Sequence, residues 1–95
     1  MRPIVAMFLA ELPKRITGFE AAVQASDLVQ FKRLTHQMKG AAGGYGYPSI
    51  TQAAISLERC IEMSGDAWIG ACGVHLDALI LLLRRAHASA AHVSE

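Results

Sequence analysis

Ninety-five residues make one domain, enough for a single hydrophobic core. A composition of 53% hydrophobic and 18% charged residues excludes a disordered chain, and many alanines with few aromatics favour closely packed helices. The formal net charge of +1, without a long basic run, leaves no electrostatic footprint for nucleic acid.

Taken in chain order, the first ten residues superficially suggest a signal peptide. Glu11 interrupts that apolar run, however, and Phe8, Leu9 and Leu12 form an amphipathic stripe. A first helix is predicted over residues 3–11, with Pro3 at a favourable early position. Pro13 marks a break or a fresh start, and a second helix over 13–24 buries Ile16, Phe19 and Val23. The third begins at Asp27, where Asp27 and Gln30 have capping-box spacing, and runs to Tyr45. Gly46, Tyr47 and Pro48 turn the chain back, with Gly46 as the C-terminal cap. Ser49 and Gln52 repeat the capping spacing at the head of a fourth helix, which buries Ile50, Ala53, Leu57 and either Cys60 or Ile61 before Gly65 stops it. Because the turn is short, helices three and four are expected to be antiparallel neighbours. Asp66 then caps a long fifth helix over 66–88, with Ile69, Cys72, Leu76, Leu79, Ile80 and Leu83 inward. The run from Leu79 to Leu83 is more apolar than one buried stripe needs, so Leu81 or Leu82 marks either a contact surface or burial on two sides. The tail over about 89–95 is expected to fray. No repeat, linker or second domain is visible, and the run Ala78 to Leu83 falls far short of the ~20 apolar residues of a membrane span.

The third helix carries the chemistry. Phe31, Leu34, Met38, Ala41, Ala42 and Tyr45 recur at steps of three and four and form its buried stripe. At about 100° per residue, His36 falls roughly 160° from the Met38 centre of that stripe and is expected to face water. The same count sets Gly40 and Gly43 beside it, flanked by Lys39, Lys32 and Arg33, with Val29 two turns before. Glycine inside a helix costs about 1 kcal/mol relative to alanine. The missing side chains have a use if a second protein must reach the imidazole. Alternatively, Gly43 and Gly44 let helices three and four approach closely. An imidazole with an ordinary pKa of about 6.5 is largely neutral near pH 7 and has a free ring nitrogen able to attack phosphorus. Lys39, three residues on and therefore a neighbour on the helix surface, can pair with the phosphate so formed, as can Lys32.

His36-x-x-Lys39-Gly40, the small residues after it and Gly46 at ten positions resemble the histidine-containing phosphotransfer (Hpt) domain family, and the likeness covers most of the chain. It implies an all-α fold, an antiparallel four-helix bundle with an additional short N-terminal helix. His36 is then the phosphorylated residue, on the ring nitrogen farther from the main chain. Lys39 supports the phosphoryl group, Gly40 gives room for the partner, Gly46 ends the helix, and Gln37 and Gly43 belong to the contact surface. Val29, Lys32 and Arg33 complete the expected partner-binding face. The partners implied are response-regulator receiver domains and hybrid histidine kinases, with no nucleic acid and no membrane. No intrinsic cofactor is expected, since magnesium is supplied by the receiver.

The expected role is a stand-alone phosphorelay intermediate, a phosphocarrier and not an enzyme, in a cytoplasmic, bacterial-type two-component pathway. No glycine-rich nucleotide loop or acidic magnesium cluster supports self-phosphorylation from ATP. One alternative is a helical adaptor or inhibitor that binds a receiver or histidine kinase without being phosphorylated. Another is a metal-binding bundle using Cys60, Cys72 and His75, although the spacing is unlike paired zinc motifs. Without a CxxC arrangement the two cysteines read as reduced thiols, and His75, His87 and His92, lacking the lysine and glycine context, as ordinary residues.

Overall fold

The computed structural model describes residues 3–93, with side chains described through Ser89. Those residues form helices and tight turns only: α1 (Pro3–Ala10), α2 (Leu12–Gln24), α3 (Leu28–Tyr45), α4 (Pro48–Ser64), a 3-10 turn (Gly65–Ala67), the short α5 (Trp68–Ala71) and α6 (Gly73–Val93). Helix α2 packs on α3 and α6, and α4 packs on the same two, so α3 and α6 lie across the core from one another. The short α1 lies against α6 and α2.

The local rules that start and stop these helices are visible at both ends of α3. Asp27 Oδ1 accepts the Gln30 N–H at 3.0 Å, satisfying one of the donors that a helix start leaves open. Gly46 closes the helix with φ of 82°, in the left-handed region, and its N–H bonds to the Ala42 carbonyl. A Cβ at Gly46 would meet nothing within 4 Å, so only the backbone resists a side chain there. Gly46→Ala is therefore expected to lower stability by about 1–2 kcal/mol in urea denaturation, with the fold retained.

Three expected features differ. Helix α4 starts at Pro48 with Tyr47 as its cap and no side-chain capping bond, so the Ser49 and Gln52 spacing is not used. Proline sits well at the first helical position, where its missing N–H leaves no bond unmade. The single long helix from Asp66 is replaced by the 3-10 turn, α5 and a new start at Gly73. Trp68 packs inward at that break. Its buried ring packs 4.8 Å from the Phe31 centroid, and placing Trp68 and Cys72 inward rotates Ile69 out to 43% exposure. Finally, α6 runs past residue 88 to Val93, so residues 89–93 of the expected frayed tail are helical and its last two lie outside the described residues.

The core comprises Phe8, Leu9, Leu12, Ile16 and Phe19 from the first two helices, Phe31, Met38 and Ala42 from α3, and Ile50, Leu57, Ile61, Leu76, Leu79 and Leu83 opposite. Ala22 and Ala54 are fully buried, whereas the expected Val23 and Ala53 are half-buried, as is Ile80. Ile61 rather than Cys60 takes the deeper position. Leu81 is exposed and Leu82 half-buried. Two aromatic groups grip α3: Phe31 against Phe19 and Trp68, and Tyr45 against Phe8 at 5.0 Å between centroids. Fourteen residues at 1.5 Å each put these anchors roughly 21 Å apart along the helix, with His36 on the rigid stretch between them.

Candidate phosphorylation site

Packing between α2 and α4 fixes which face of α3 meets water. The buried line is Phe31, Thr35, Met38 and Ala42, while Leu34, Ala41 and Tyr45 on its flank are half-buried. Thr35, directly before the histidine, is fully buried and satisfies itself by donating to the Phe31 carbonyl at 2.8 Å. The opposite face carries His36, whose side chain is 73% exposed. Lys32, Arg33, Gln37, Gly40 and Gly43 are exposed beside it, and Val29 lies two turns away at 71% exposure. Alanine-sized additions at Gly40 or Gly44 would touch nothing within 4 Å, and one at Gly43 would make an ordinary 3.9 Å contact with Thr51 Oγ1. The glycines are thus not a device for bringing α3 and α4 together; they leave the helix bare next to the imidazole.

Glu58, from the middle of α4, is the residue that spacing along α3 could not reveal. Its Oε1 accepts from Lys39 Nζ at 2.8 Å, and its Oε2 lies 3.5 Å from His36 Nδ1. One carboxylate therefore bonds the lysine and faces the inner ring nitrogen. The hydrogen bond from Lys39, helped by the lysine charge and by His36, keeps the Glu58 carboxyl below its ordinary value of 4.5 against the opposing effect of burial. Glu58 is consequently ionised at neutral pH. The only hint in the sequence is an acidic residue on the helix expected to pack beside the histidine helix, and nothing local selects Glu58 over Glu62.

Chemically, this arrangement presents a ring whose Nδ1 is turned to a carboxylate and whose Nε2 is left for an incoming group. A hollow of about 210 Å³ opens beside it, lined by Lys32, Thr35, His36, Glu58, Ile61 and Glu62. Elsewhere, Cys60 Sγ bonds to the Ala71 carbonyl at 3.5 Å, and burial, with Cys60 beside it, pushes the Cys72 thiol up to about 11. Among the described residues no group of three His, Cys, Asp or Glu side chains could hold a metal ion, which removes the grouping of Cys60, Cys72 and His75. Among the described residues no single helix is long and apolar enough to cross a membrane.

Comparison with curated proteins and with solved structures returned no significant match. The Hpt domain, in contrast, matches residues 3–89. An exposed helical histidine followed by lysine and glycine, on an all-helical frame matched over nearly its whole length, places this chain in the Hpt domain family, the phosphocarrier modules of histidine phosphotransfer in two-component signalling.

Proposed function

We propose that the chain is a phosphorelay intermediate in a bacterial-type, cytoplasmic pathway: His36 takes a phosphoryl group from an aspartyl phosphate on one receiver domain and passes it to another. The observation that carries this reading is an exposed ring whose inner nitrogen faces a carboxylate, His36 Nδ1 lying 3.5 Å from Glu58 Oε2. An ionised carboxylate there favours the tautomer with the proton on Nδ1, which leaves the lone pair on Nε2. The magnesium-loaded receiver presents the aspartyl phosphate. Nε2 attacks phosphorus, the bond from phosphorus to the aspartyl oxygen breaks, and that oxygen leaves with the electron pair as a carboxylate. The ring gains positive charge, and its Nδ1 proton stays directed at Glu58, which stabilises that charge.

Lys39 is committed to Glu58, yet an ammonium has three donors, so it can meet a phosphoryl oxygen without releasing the carboxylate. Return of the phosphoryl group to the next receiver runs the same steps in reverse. The four long helices, taken as one antiparallel bundle with α1 as the additional helix, serve as a rigid support, and receivers and hybrid histidine kinases are the partners. Magnesium comes with the receiver, and residues 1–95 act as one domain.

Phosphoryl transfer from a panel of magnesium-loaded, phosphorylated receivers to the native chain and to His36→Gln tests the proposal. Label on the native chain alone supports it; a receiver that binds yet never labels the chain favours the adaptor. Gly40 allows a second check. Gly40→Ala is expected to stabilise the domain by about 1 kcal/mol, because helix propensity rises and the site is open. Gly40→Leu should instead slow transfer from receivers by about tenfold or more through obstruction, about 1.4 kcal/mol of barrier. Thermal melts and transfer kinetics separate the two effects.

A further inference from the structure

The two sides of His36 differ in charge. Toward α4, cations and carboxylates are matched: Lys39 is bonded to Glu58, and Lys32 lines the same hollow as Glu62. Toward α2 a groove of about 330 Å³ is lined by Glu11, Lys14, Arg15, Gly18, Leu34 and Gln37. Leu34 is its apolar floor, packed so that a Cβ at Gly18 would sit 3.5 Å from Leu34 Cδ1. Arg33 stands one turn before Gln37 on the same side of α3.

Three cations, Lys14, Arg15 and Arg33, thus share this side with one carboxylate, Glu11. Neither Lys14 nor Arg33 forms an ion pair among the described residues. Arg15 makes a long pair to Glu11, 3.7 Å, and lies 5.9 Å from the centroid of the Phe8 ring. Its Nε is shut off from solvent and has no hydrogen-bond partner. A desolvated donor without an acceptor is costly, so a shift of the Arg15 side chain toward an incoming carboxylate would be favoured. The groove therefore combines an apolar floor at Leu34 with Lys14 and Arg15 in its lining, and Arg33 stands beside it on the histidine helix.

We propose that this groove receives an Asp or Glu side chain from the docking surface of the receiver, and that Lys14, Arg15 and Arg33 select receivers whose docking face is acidic. The proposal rests on the phosphorelay reading and adds the chemistry of the partner. Complementary charge of this kind acts on encounter and on discrimination between partners, and salt screens it. It should therefore appear in the receiver concentration needed for half-maximal transfer.

The test measures transfer kinetics between this chain and two magnesium-loaded receiver domains, one with an acidic and one with a basic docking face. At low ionic strength the native chain is expected to show a KM about tenfold lower for the acidic receiver, a difference that shrinks in about 0.5 M salt. Lys14→Glu combined with Arg33→Glu, both at exposed positions, should reverse the preference while the rate at saturating receiver changes much less. A preference untouched by the double substitution, or one indifferent to salt, overturns the proposal. If both receivers bind the native chain and neither labels it, the phosphorelay reading itself fails and takes this one with it.

Discussion

His36→Gln is expected to abolish phosphoryl acceptance, leaving less than about 1% of the native label after exposure to any competent phosphorylated receiver. Glutamine has roughly the polarity and reach of the imidazole, but its amide nitrogen has no lone pair free to attack phosphorus. Among the described side chains no other histidine shares the lysine, glycine and carboxylate context: His75 and His87 lie on α6, across the core from α3. Because His36 is exposed and its Nδ1 contact is the only ion pair it makes among the described residues, the substitution should leave the thermal melt nearly unchanged. The label on the native chain should be lost in acid and retained in base, as a phosphorus to nitrogen bond requires. Residual acid-labile label on the variant would move the carrier role to another residue.

The second large effect is expected at Glu58. Glu58→Gln keeps the size of the side chain and an acceptor for the Nδ1 proton, but removes the charge that Lys39 and the developing imidazolium both face. A charge-assisted bond is worth roughly 1.5–3 kcal/mol, about twice its neutral counterpart, so losing the charge costs about 1–1.5 kcal/mol and transfer at saturating receiver should fall about 5- to 10-fold. The acceptance step should suffer and receiver binding much less, because Glu58 acts through the ring.

Stability gives an independent readout with a definite sign. The folded pKa of Glu58 is depressed below 4.5, so the unfolded chain takes up its proton first as pH falls. The stabilisation from the Lys39 and His36 contacts is therefore fully present above the unfolded value and is lost as pH drops through the folded one. Native protein should melt above Glu58→Gln near neutral pH, and the two should converge in acid below 4.5. A gap that persists there would show that the carboxylate charge is not what holds the contact.

The histidine face was legible because its determinants are local. Helical periodicity from Phe31 to Tyr45 sets His36 opposite the core, and the Asp27 cap and the left-handed Gly46 bound the helix with residues suited to those backbone conformations. The last third was harder to read. The apolar pattern from Ile69 to Leu83 fits one long helix as well as it fits two, and the break before Gly73 is seen only in the packed fold. Thr35, a hydroxyl in the buried line, reads as polar until its bond to the Phe31 carbonyl is seen.

Sequence by itself therefore determined the helical class, the ends of α3 and the outward face of His36, since each follows from residues within a few turns of one another. Tertiary structure alone decided that Glu58, on another helix, shares its carboxylate between Lys39 and the ring, that the chain bends at Cys72, and that Arg15 and Lys14 line a groove with Gln37. The reason is physical: periodicity states which way a side chain points, whereas its partner across a helix interface depends on the rotation and axial offset that close packing of the whole core selects.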